Sequence, residues 1–342
     1  MTKRIVMAAM VCIVLLGGLA ILPTQKAMAG STSNTVLLVH GWNPNSSQDC
    51  NTGSEWGTLE SFLPNYGITH HVSLGFYNGD YDCNDYIQGE SYHCTGWYDS
   101  GSNDGTVNED IRHTGCELAW YVWDHYTSHG NYVEVIAHSM GGILIRQAMT
   151  DTQMFPELPP YLDISDVATI ETPHQGILSA SAFFASFPVK GPCASPCVEV
   201  SQMEASNPII VNLNSTSAYC NLGWCGFGRN PQGGGGTDWT TVSARQDPVM
   251  YGAGNPNPEQ RGCPYGLECD VMAVGWMPGA THFVGYPGSN PSYDHGSGLT
   301  DTRTSWTATE DWSDDNGANW YKANTSEYSL YTLTQAVLYP SW

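Results

Sequence analysis

Two kinds of apolar pattern alternate along this chain. Short runs rich in β-branched residues predict buried strands, and they lie at 35–42, 70–80, 132–137, 166–172, 238–244 and 281–286. Apolar residues spaced three or four apart predict helices, which begin near Ser54 and at residue 141, cover 108–129 and close the chain at 326–338. Strands that alternate with helices predict an α/β fold, with a mostly parallel sheet and helices on both of its faces.

The stretch 177–237 interrupts this alternation. It opens with the apolar segment ILSASAFFASF and continues through prolines, cysteines and the glycine run at 233–236. Neither an internal repeat nor a second core is evident. We therefore expect one domain over residues 30–342 in which 177–237 is a Cys-rich insertion, either a lid or a disulfide-stapled cap.

The first 29 residues have the pattern of a secretory signal peptide. Lys3 and Arg4 precede an apolar run over residues 5–22, and an A-x-A cleavage pattern follows at 27–29. An uncleaved membrane anchor is the alternative, since the apolar run is nearly long enough to span a bilayer. The A-x-A pattern favours cleavage, so we expect a secreted, extracellular protein.

The number of cysteines is consistent with an exported protein. Of the 11, Cys12 lies in the leader, and the even remainder in an exported chain predicts up to five disulfides. We expect three local pairs and a set of four that pair among themselves in an open order; zinc ligation by the closely spaced cysteines is the alternative, which export disfavours. The local pairs are Cys193/Cys197, Cys220/Cys225 and Cys263/Cys269, and the set of four is Cys50, Cys83, Cys94 and Cys116.

The charge balance limits the partners. The chain has 33 acidic and 11 basic side chains, a formal net charge of −22. Such a balance argues against nucleic acid and anionic membrane surfaces as partners, and it fits the solubility of an exported protein. We infer no obligate protein partner.

Residues 131–149, NYVEVIAHSMGGILIRQAM, place Ser139 in a tight turn between a predicted strand and a predicted helix. Ala137 and Gly141, two positions away on either side, are small enough for such a turn. The start of the helix stabilises negative charge that develops beside the serine. A serine that merely caps the helix is the alternative, but the A-x-S-x-G pattern in this setting indicates a nucleophile.

A nucleophilic serine needs an acid and a base, which follow it in that chain order in this architecture. Asp247 comes directly after the strand 238–244 and is the favoured acid, whereas Asp238 starts that strand, at the wrong end. Asp270 is the second candidate. A plain solvated loop acid is the alternative interpretation of Asp247.

His295 is the favoured base, because it lies in a Gly-rich loop beyond the strand predicted at 281–286. His282 falls inside that strand, where a half-buried structural histidine is more usual, and it is the alternative base. His174 comes too early for the expected order. We place it, with His40 and His138, among the residues that line the substrate site.

Two backbone amides are the candidate oxyanion donors. The N–H of Met140 directly follows the nucleophile, and the N–H of Trp42 lies in the loop after the first strand. Gly41 lets that loop turn inward, and His40 is placed to hold it by a hydrogen bond.

Four segments, VLLVHGW, VEVIAHSMGGILIR, TIETPHQG and SARQDPV, together resemble the secreted bacterial lipases and esterases of the α/β-hydrolase fold. The AHSMGG segment is similar to the small Bacillus-type lipases, while GFYNGDYDC and GCELAWYVWDHY are more similar to larger exported actinobacterial α/β-hydrolases. The resemblance covers residues 35–175 well and 238–300 thinly. It implies that Ser139 is the nucleophile, Asp247 the acid and His295 the base, with Trp42 and Met140 as oxyanion donors.

We therefore expect a secreted serine hydrolase that cleaves carboxylic esters, a triacylglycerol lipase or an esterase, through an acyl-enzyme on Ser139. Its expected partners are small-molecule or lipid esters, with transient contact to a lipid interface. The alternatives are a polyester depolymerase, an acyltransferase or an amidase with the same triad, and then a non-catalytic surface module.

We expect neither a cofactor nor a metal. His125 and His129 share a helix face, which the favourable placement of imidazole near a helix C-terminus explains. The acidic residues Asp80, Asp82 and Asp85 lack the spacing of a known calcium loop.

Overall fold

The computed structural model describes residues 33–51, 55–99, 101–177, 180–181, 197–215, 230–244, 247, 275, 277, 279–286, 295–296, 299–300, 308–313, 321–325 and 329–339. Within these ranges the strands form one sheet of nine, in the order β3-β2-β1-β4-β5-β6-β7-β8-β9. The strands are β1 (Thr35–Val39), β2 (His71–Gly75), β3 (Asp85–Tyr86), β4 (Val133–His138), β5 (Ile164–Ile170), β6 (Asp238–Ala244), β7 (His282–Tyr286), β8 (Ala308–Ser313) and β9 (Tyr321–Thr325).

The helices flank this sheet. They are α1 (Gly57–Phe62), α2 (Ile111–His125), α3 (Met140–Met154), α4 (Val198–Gln202), α5 (Pro208–Asn214) and α6 (Ser329–Ala336), and single turns of 3₁₀ helix cover Leu63–Tyr66, Ile87–Glu90, Gly101–Asn103 and Thr127–His129.

Both faces of the sheet are covered by helices. In β1, Leu37 and Val39 belong to the core cluster that includes residues of α2 and α3, whereas Val36 and Leu38 belong to the cluster that includes residues of α1 and α6. Successive side chains of a strand point to opposite faces. A strand buried on both faces therefore reads as a continuous apolar run, as this one does.

The predicted α/β fold with its mostly parallel sheet is confirmed. Strands β1 to β7 pair in parallel. The strands β8 and β9, which follow the predicted strand at 281–286 and pair antiparallel, were not among the predicted strands. Their sequences, ATEDWS and YKANT, have too few apolar residues to match a buried strand. Antiparallel strands at a sheet edge tolerate such sequences.

Two disulfides crosslink segments beside the sheet. Cys50 is bonded to Cys83, and Cys94 is bonded to Cys116. The prediction that these four cysteines pair among themselves is therefore confirmed, with the order now given. Cys197 is also disulfide-bonded.

Several predictions fall outside the described residues: the leader at 1–29, most of the insertion at 177–237, and at least one cysteine of each predicted local pair. In the part of the chain that the structure describes, no helix has the length and apolar character that crossing a bilayer requires.

Candidate active site

Ser139 occupies a sharp turn between β4 and α3. Its backbone has φ 52° and ψ −126°, a conformation that costs a residue with a side chain on the order of 1–3 kcal/mol. The neighbouring glycines allow the turn, because a Cβ on Gly141 would lie 2.3 Å from the carbonyl oxygen of Val39, and one on Gly142 would lie 2.2 Å from Oγ1 of Thr172. The small residues beside the serine are thus a steric requirement.

His295 and Asp247 meet at this serine. Nε2 of His295 is 2.8 Å from Oγ of Ser139, and its Nδ1 is 2.8 Å from Oδ2 of Asp247. Since an ionised carboxylate only accepts hydrogen bonds, Nδ1 carries the proton and Nε2 is left to accept one from the serine hydroxyl. Asp247 is fully buried. The structure therefore brings together the three residues that the sequence analysis singled out as nucleophile, acid and base.

The loop after β1 passes directly against the nucleophile. A Cβ on Gly41 would lie 2.7 Å from Cβ and 3.2 Å from Oγ of Ser139, so a larger residue here would displace the loop or the serine. The loop residue Trp42 follows Gly41, and Met140 follows Ser139 as the first residue of α3. Their amides remain the predicted oxyanion donors.

His40 lies buried behind this loop. Its Nδ1 is 2.8 Å from the carbonyl oxygen of Gly41, its Nε2 is 2.9 Å from Oδ2 of Asp80, and its ring stacks on Phe76 at 3.9 Å. Asp80 also accepts the backbone N–H groups of Phe76, Tyr77 and Gln48. This carboxylate therefore serves the loop structure, and contact of His40 with substrate stays a prediction.

His138, the residue before the nucleophile, lies between two carboxylates. Its Nδ1 is hydrogen-bonded to Oε1 of Glu55, which also accepts the N–H of Gly41 at 3.2 Å, and its Nε2 is 3.5 Å from Oε2 of Glu171. Burial alone would lower the pKa of His138, but the charge of Glu55, the hydrogen bond to it and the nearby carboxylate of Glu171 raise the pKa to about 10. The pKa of Glu55 is lowered in spite of burial, by attraction to His138. At neutral pH this is a buried ion pair beneath the serine.

Glu171 is a second carboxylic acid close to His295, the candidate base. It follows β5 with φ 54°, and its Oε2 is 3.9 Å from Nδ1 of His295. Burial, together with repulsion from Asp247, raises the pKa of Glu171 to about 7. Neither of its carboxylate oxygens has a hydrogen-bond partner among the described residues.

Glu55 and Glu171 also belong to the site, although neither was predicted. Glu55 stands in a polar stretch where no local pattern distinguishes it. Glu171 did carry a signal, because it follows the carboxyl end of a buried strand, and in parallel sheets functional side chains gather at that edge.

The remaining candidates lie elsewhere. His174 is fully buried; its Nε2 is 2.9 Å from Oγ1 of Thr169, and its carbonyl accepts a hydrogen bond from Arg146. Contact of His174 with substrate stays a prediction. His282 is 3.3 Å from Asp238. These two residues are the first residues of the neighbouring strands β7 and β6, whereas Ser139 follows the carboxyl end of β4. Asp270 lies outside the described residues.

No known protein-family profile and no curated protein sequence matches the chain. Solved structures do. The mature lipase BlEst2 of Bacillus licheniformis is 14% identical, with a TM-score of 0.43 over 80% of this chain and 89% of that one. An extracellular α/β-hydrolase from a Paenibacillus species is 13% identical, with a TM-score of 0.33 over 80% of this chain and 94% of that one. The metagenomic carboxyl esterase MGS0156 is 10% identical, with a TM-score of 0.36 over 93% and 76%.

At such identities and TM-scores the likeness carries no conclusion about this chain, and what those proteins act on is a property of those proteins. The mostly parallel sheet, the helices on both of its faces and the sharp turn at Ser139 agree with the α/β architecture expected from the sequence.

Proposed function

We propose that this protein is a secreted serine hydrolase that cleaves carboxylic esters through an acyl-enzyme on Ser139. The observation that carries the proposal is the continuous pair of hydrogen bonds from Ser139 to His295 and from His295 to Asp247, each 2.8 Å long. Nucleophile, base and orienting acid are the three groups that acyl transfer by a serine requires.

In the first half-reaction the hydroxyl oxygen of Ser139 attacks the carbonyl carbon of the ester, and Nε2 of His295 takes the serine proton. The negative charge on the carbonyl oxygen is stabilised by the N–H groups of Trp42 and Met140 and by the start of α3. Asp247 holds Nδ1–H of His295 and stabilises the imidazolium. When the tetrahedral intermediate collapses, the C–O bond to the alcohol breaks, and the alcohol leaves with the proton from His295.

The second half-reaction repeats these steps with water. His295 takes a proton from the water as its oxygen attacks the acyl carbon. The bond to Oγ of Ser139 then breaks, the serine recovers its proton from His295, and the carboxylic acid leaves. One ester and one water thus give one alcohol and one acid.

Esters are favoured over amides because the segments around the serine and the acid resemble secreted lipases and esterases. A triacylglycerol lipase and an esterase are both consistent with that resemblance, and transient contact with a lipid interface belongs to the first. The triad alone also fits a polyester depolymerase, an acyltransferase or an amidase. Export is supported by the A-x-A leader pattern at 27–29 and by the disulfides Cys50–Cys83 and Cys94–Cys116.

The test is a rate series over nitrophenyl esters with acyl chains of about two to sixteen carbons, measured below and above the solubility limit of the long esters. We expect hydrolysis by the wild type, loss of at least about 10³-fold in Ser139→Ala, and an unchanged rate in Ser128→Ala, an exposed serine that serves as the matched control. Equal rates in the wild type and Ser139→Ala would overturn the proposal. A jump in rate at the lipid interface identifies a lipase, and a maximum at short chains without such a jump identifies an esterase.

A further inference from the structure

A buried cluster of three carboxylates and one imidazole lies outside the serine site, at the beginning of α2. His113 and Glu117 are four residues apart and share one face of that helix. Glu109 precedes the helix, and Asp104 lies in the loop before it. The nitrogen of His113 and the carboxylate oxygens of Asp104 and Glu109 that face one another all lie within 4.8 Å. Nε2 of His113 is 3.7 Å from Oε1 of Glu117 and 4.0 Å from Oδ2 of Asp104.

His113 points an unused lone pair into this cluster. Its Nδ1 is 2.7 Å from the carbonyl oxygen of Trp97, which only accepts, so Nδ1 carries the proton. Its Nε2 is buried and has no hydrogen-bond partner among the described residues. The distances to Glu117 and Asp104 exceed the range of about 2.7–3.2 Å expected of an N–H···O bond. A histidine that ligates a metal in proteins has this arrangement, with its other ring N–H given to a backbone carbonyl.

Glu109 and Glu117 have no cationic side chain beside them within the part of the chain that the structure describes. Among the ion pairs of the described residues, neither Glu109 nor Glu117 has a lysine or arginine partner, and Arg112, next to them in sequence, pairs with Asp110 at 2.6 Å. Glu109 and Glu117 are both 1% exposed. Burying ionised carboxylates without a counter-charge is costly. A divalent cation at the centre would supply the counter-charge and use the lone pair of His113.

We propose that Asp104, Glu109, His113 and Glu117 bind a divalent transition-metal ion, for which Zn²⁺ is the probe. One imidazole nitrogen and three carboxylate oxygens suit zinc, whereas an imidazole is foreign to calcium and magnesium sites. Four protein ligands make the site structural, since a catalytic zinc keeps one position open. The ion joins the loop before α2 to the helix itself. This site departs from the absence of metal expected from the sequence.

Binding requires the side chains to move inward. Zinc bonds of about 2.0–2.2 Å place tetrahedral ligand atoms about 3.4 Å apart, whereas Nε2 of His113 is 3.7 Å from Glu117 and 4.0 Å from Asp104, and the atoms of Asp104, Glu109 and His113 lie within 4.8 Å of one another. Asp104 is the ligand with the most room to shift, because its side chain is 32% exposed whereas His113 and Glu117 are buried. The same exposure gives the ion its entry.

The test uses the full folded protein after dialysis against a chelator, with bound zinc measured by elemental analysis and calorimetry and the unfolding midpoint measured with and without Zn²⁺. We expect one Zn²⁺ per chain and, at about 100 times the dissociation constant, a midpoint raised by about 5 °C or more. His113→Asn and Glu117→Gln should each weaken Zn²⁺ binding at least about 100-fold. Glu117→Gln exchanges a buried carboxyl group for a neutral amide of similar size, so it folds without the ion and keeps the test valid if His113→Asn does not fold.

The matched control is His93→Asn, because Glu90, His93 and Asp124 form a second cluster of similar donors. It should bind Zn²⁺ like the wild type. Absence of Zn²⁺ binding to the wild type would overturn the proposal. The proposal would also be overturned if His93→Asn lost Zn²⁺ binding while His113→Asn kept it. An unfolding midpoint that rises with Ca²⁺ and not with Zn²⁺ would overturn it as well. The ester hydrolysis assay plays no part in these outcomes.

Discussion

Oε2 of Glu171 lies 3.9 Å from Nδ1 of His295, the same ring nitrogen that Asp247 holds at 2.8 Å. Two buried carboxylates therefore face one imidazole nitrogen, one hydrogen-bonded to it and one within the range of charge attraction. In a low-dielectric site, a second negative charge at this distance stabilises the imidazolium that forms during acyl transfer. In the proposed mechanism Asp247 orients the base, and Glu171 adds a charge that depends on pH.

The first prediction concerns Asp247→Asn. Loss of the orienting acid lowers kcat by about 10⁴-fold where no other carboxylate is near. Here Glu171 remains beside the base. Burial still raises its pKa when the repulsion from Asp247 is removed, so it is more ionised at pH 8 than at pH 6. We expect Asp247→Asn to keep more of the wild-type rate at pH 8 than at pH 6. The check is the pH profile of kcat for Asp247→Asn alone and together with Glu171→Gln. If the ratio of kcat in Asp247→Asn to kcat in the wild type does not change with pH, Glu171 has no part in the mechanism.

The second prediction concerns stability and Glu171. Its folded pKa of about 7 lies above the ordinary value of 4.5, so between these pH values the folded state binds the extra proton. The free energy of unfolding contributed by Glu171 therefore falls as pH rises from about 4.5 to 7, by at most about 3 kcal/mol. This contribution to the pH dependence of the free energy of unfolding should be absent in Glu171→Gln. Urea unfolding at pH 5 and pH 8 measures it, and an identical pH slope in wild type and variant would refute it.

The third prediction concerns the ion pair of His138 and Glu55. Since the pKa of His138 is raised from 6.5 to about 10, its contribution to stability is complete below pH 6.5 and is lost as pH rises through 10. Glu55→Gln leaves a buried imidazolium without its partner and should cost about 3–5 kcal/mol near neutral pH. The loss of stability on raising the pH should also be shallower in that variant. Chemical unfolding of both proteins at pH 7 and pH 9.5 checks the two effects.

The fourth prediction concerns Gly41→Ala. The added Cβ would lie 2.7 Å from Cβ of Ser139, so either the loop or the nucleophile must shift. A displacement of this kind lowers ester hydrolysis by about 100-fold or more, with the fold retained. Gly89→Ala is the control, because a Cβ there meets nothing within 4 Å. Circular dichroism confirms folding in both variants, and near-wild-type activity in Gly41→Ala would show that this loop does not constrain the serine.

Much of the fold was predictable because strands buried on both faces have continuous apolar runs and helices have a period of their own. Asp247 and His295 were predictable as candidates from chain order and from their positions after strands. Strands β8 and β9 were not, since their polar sequences carry no such pattern. Glu55 and Glu171 were not predicted, because their place in the site depends on their being close in space to His138 and His295. A single sequence does not show which residues are close in space.

The most direct test of the account is covalent labelling with a fluorophosphonate, followed by intact-mass measurement and peptide mapping. We predict one adduct per chain on Ser139, much slower labelling in His295→Ala, and no adduct in Ser139→Ala. No labelling of the wild type, or an adduct of equal yield in Ser139→Ala, would contradict the claim that Ser139 is the nucleophile.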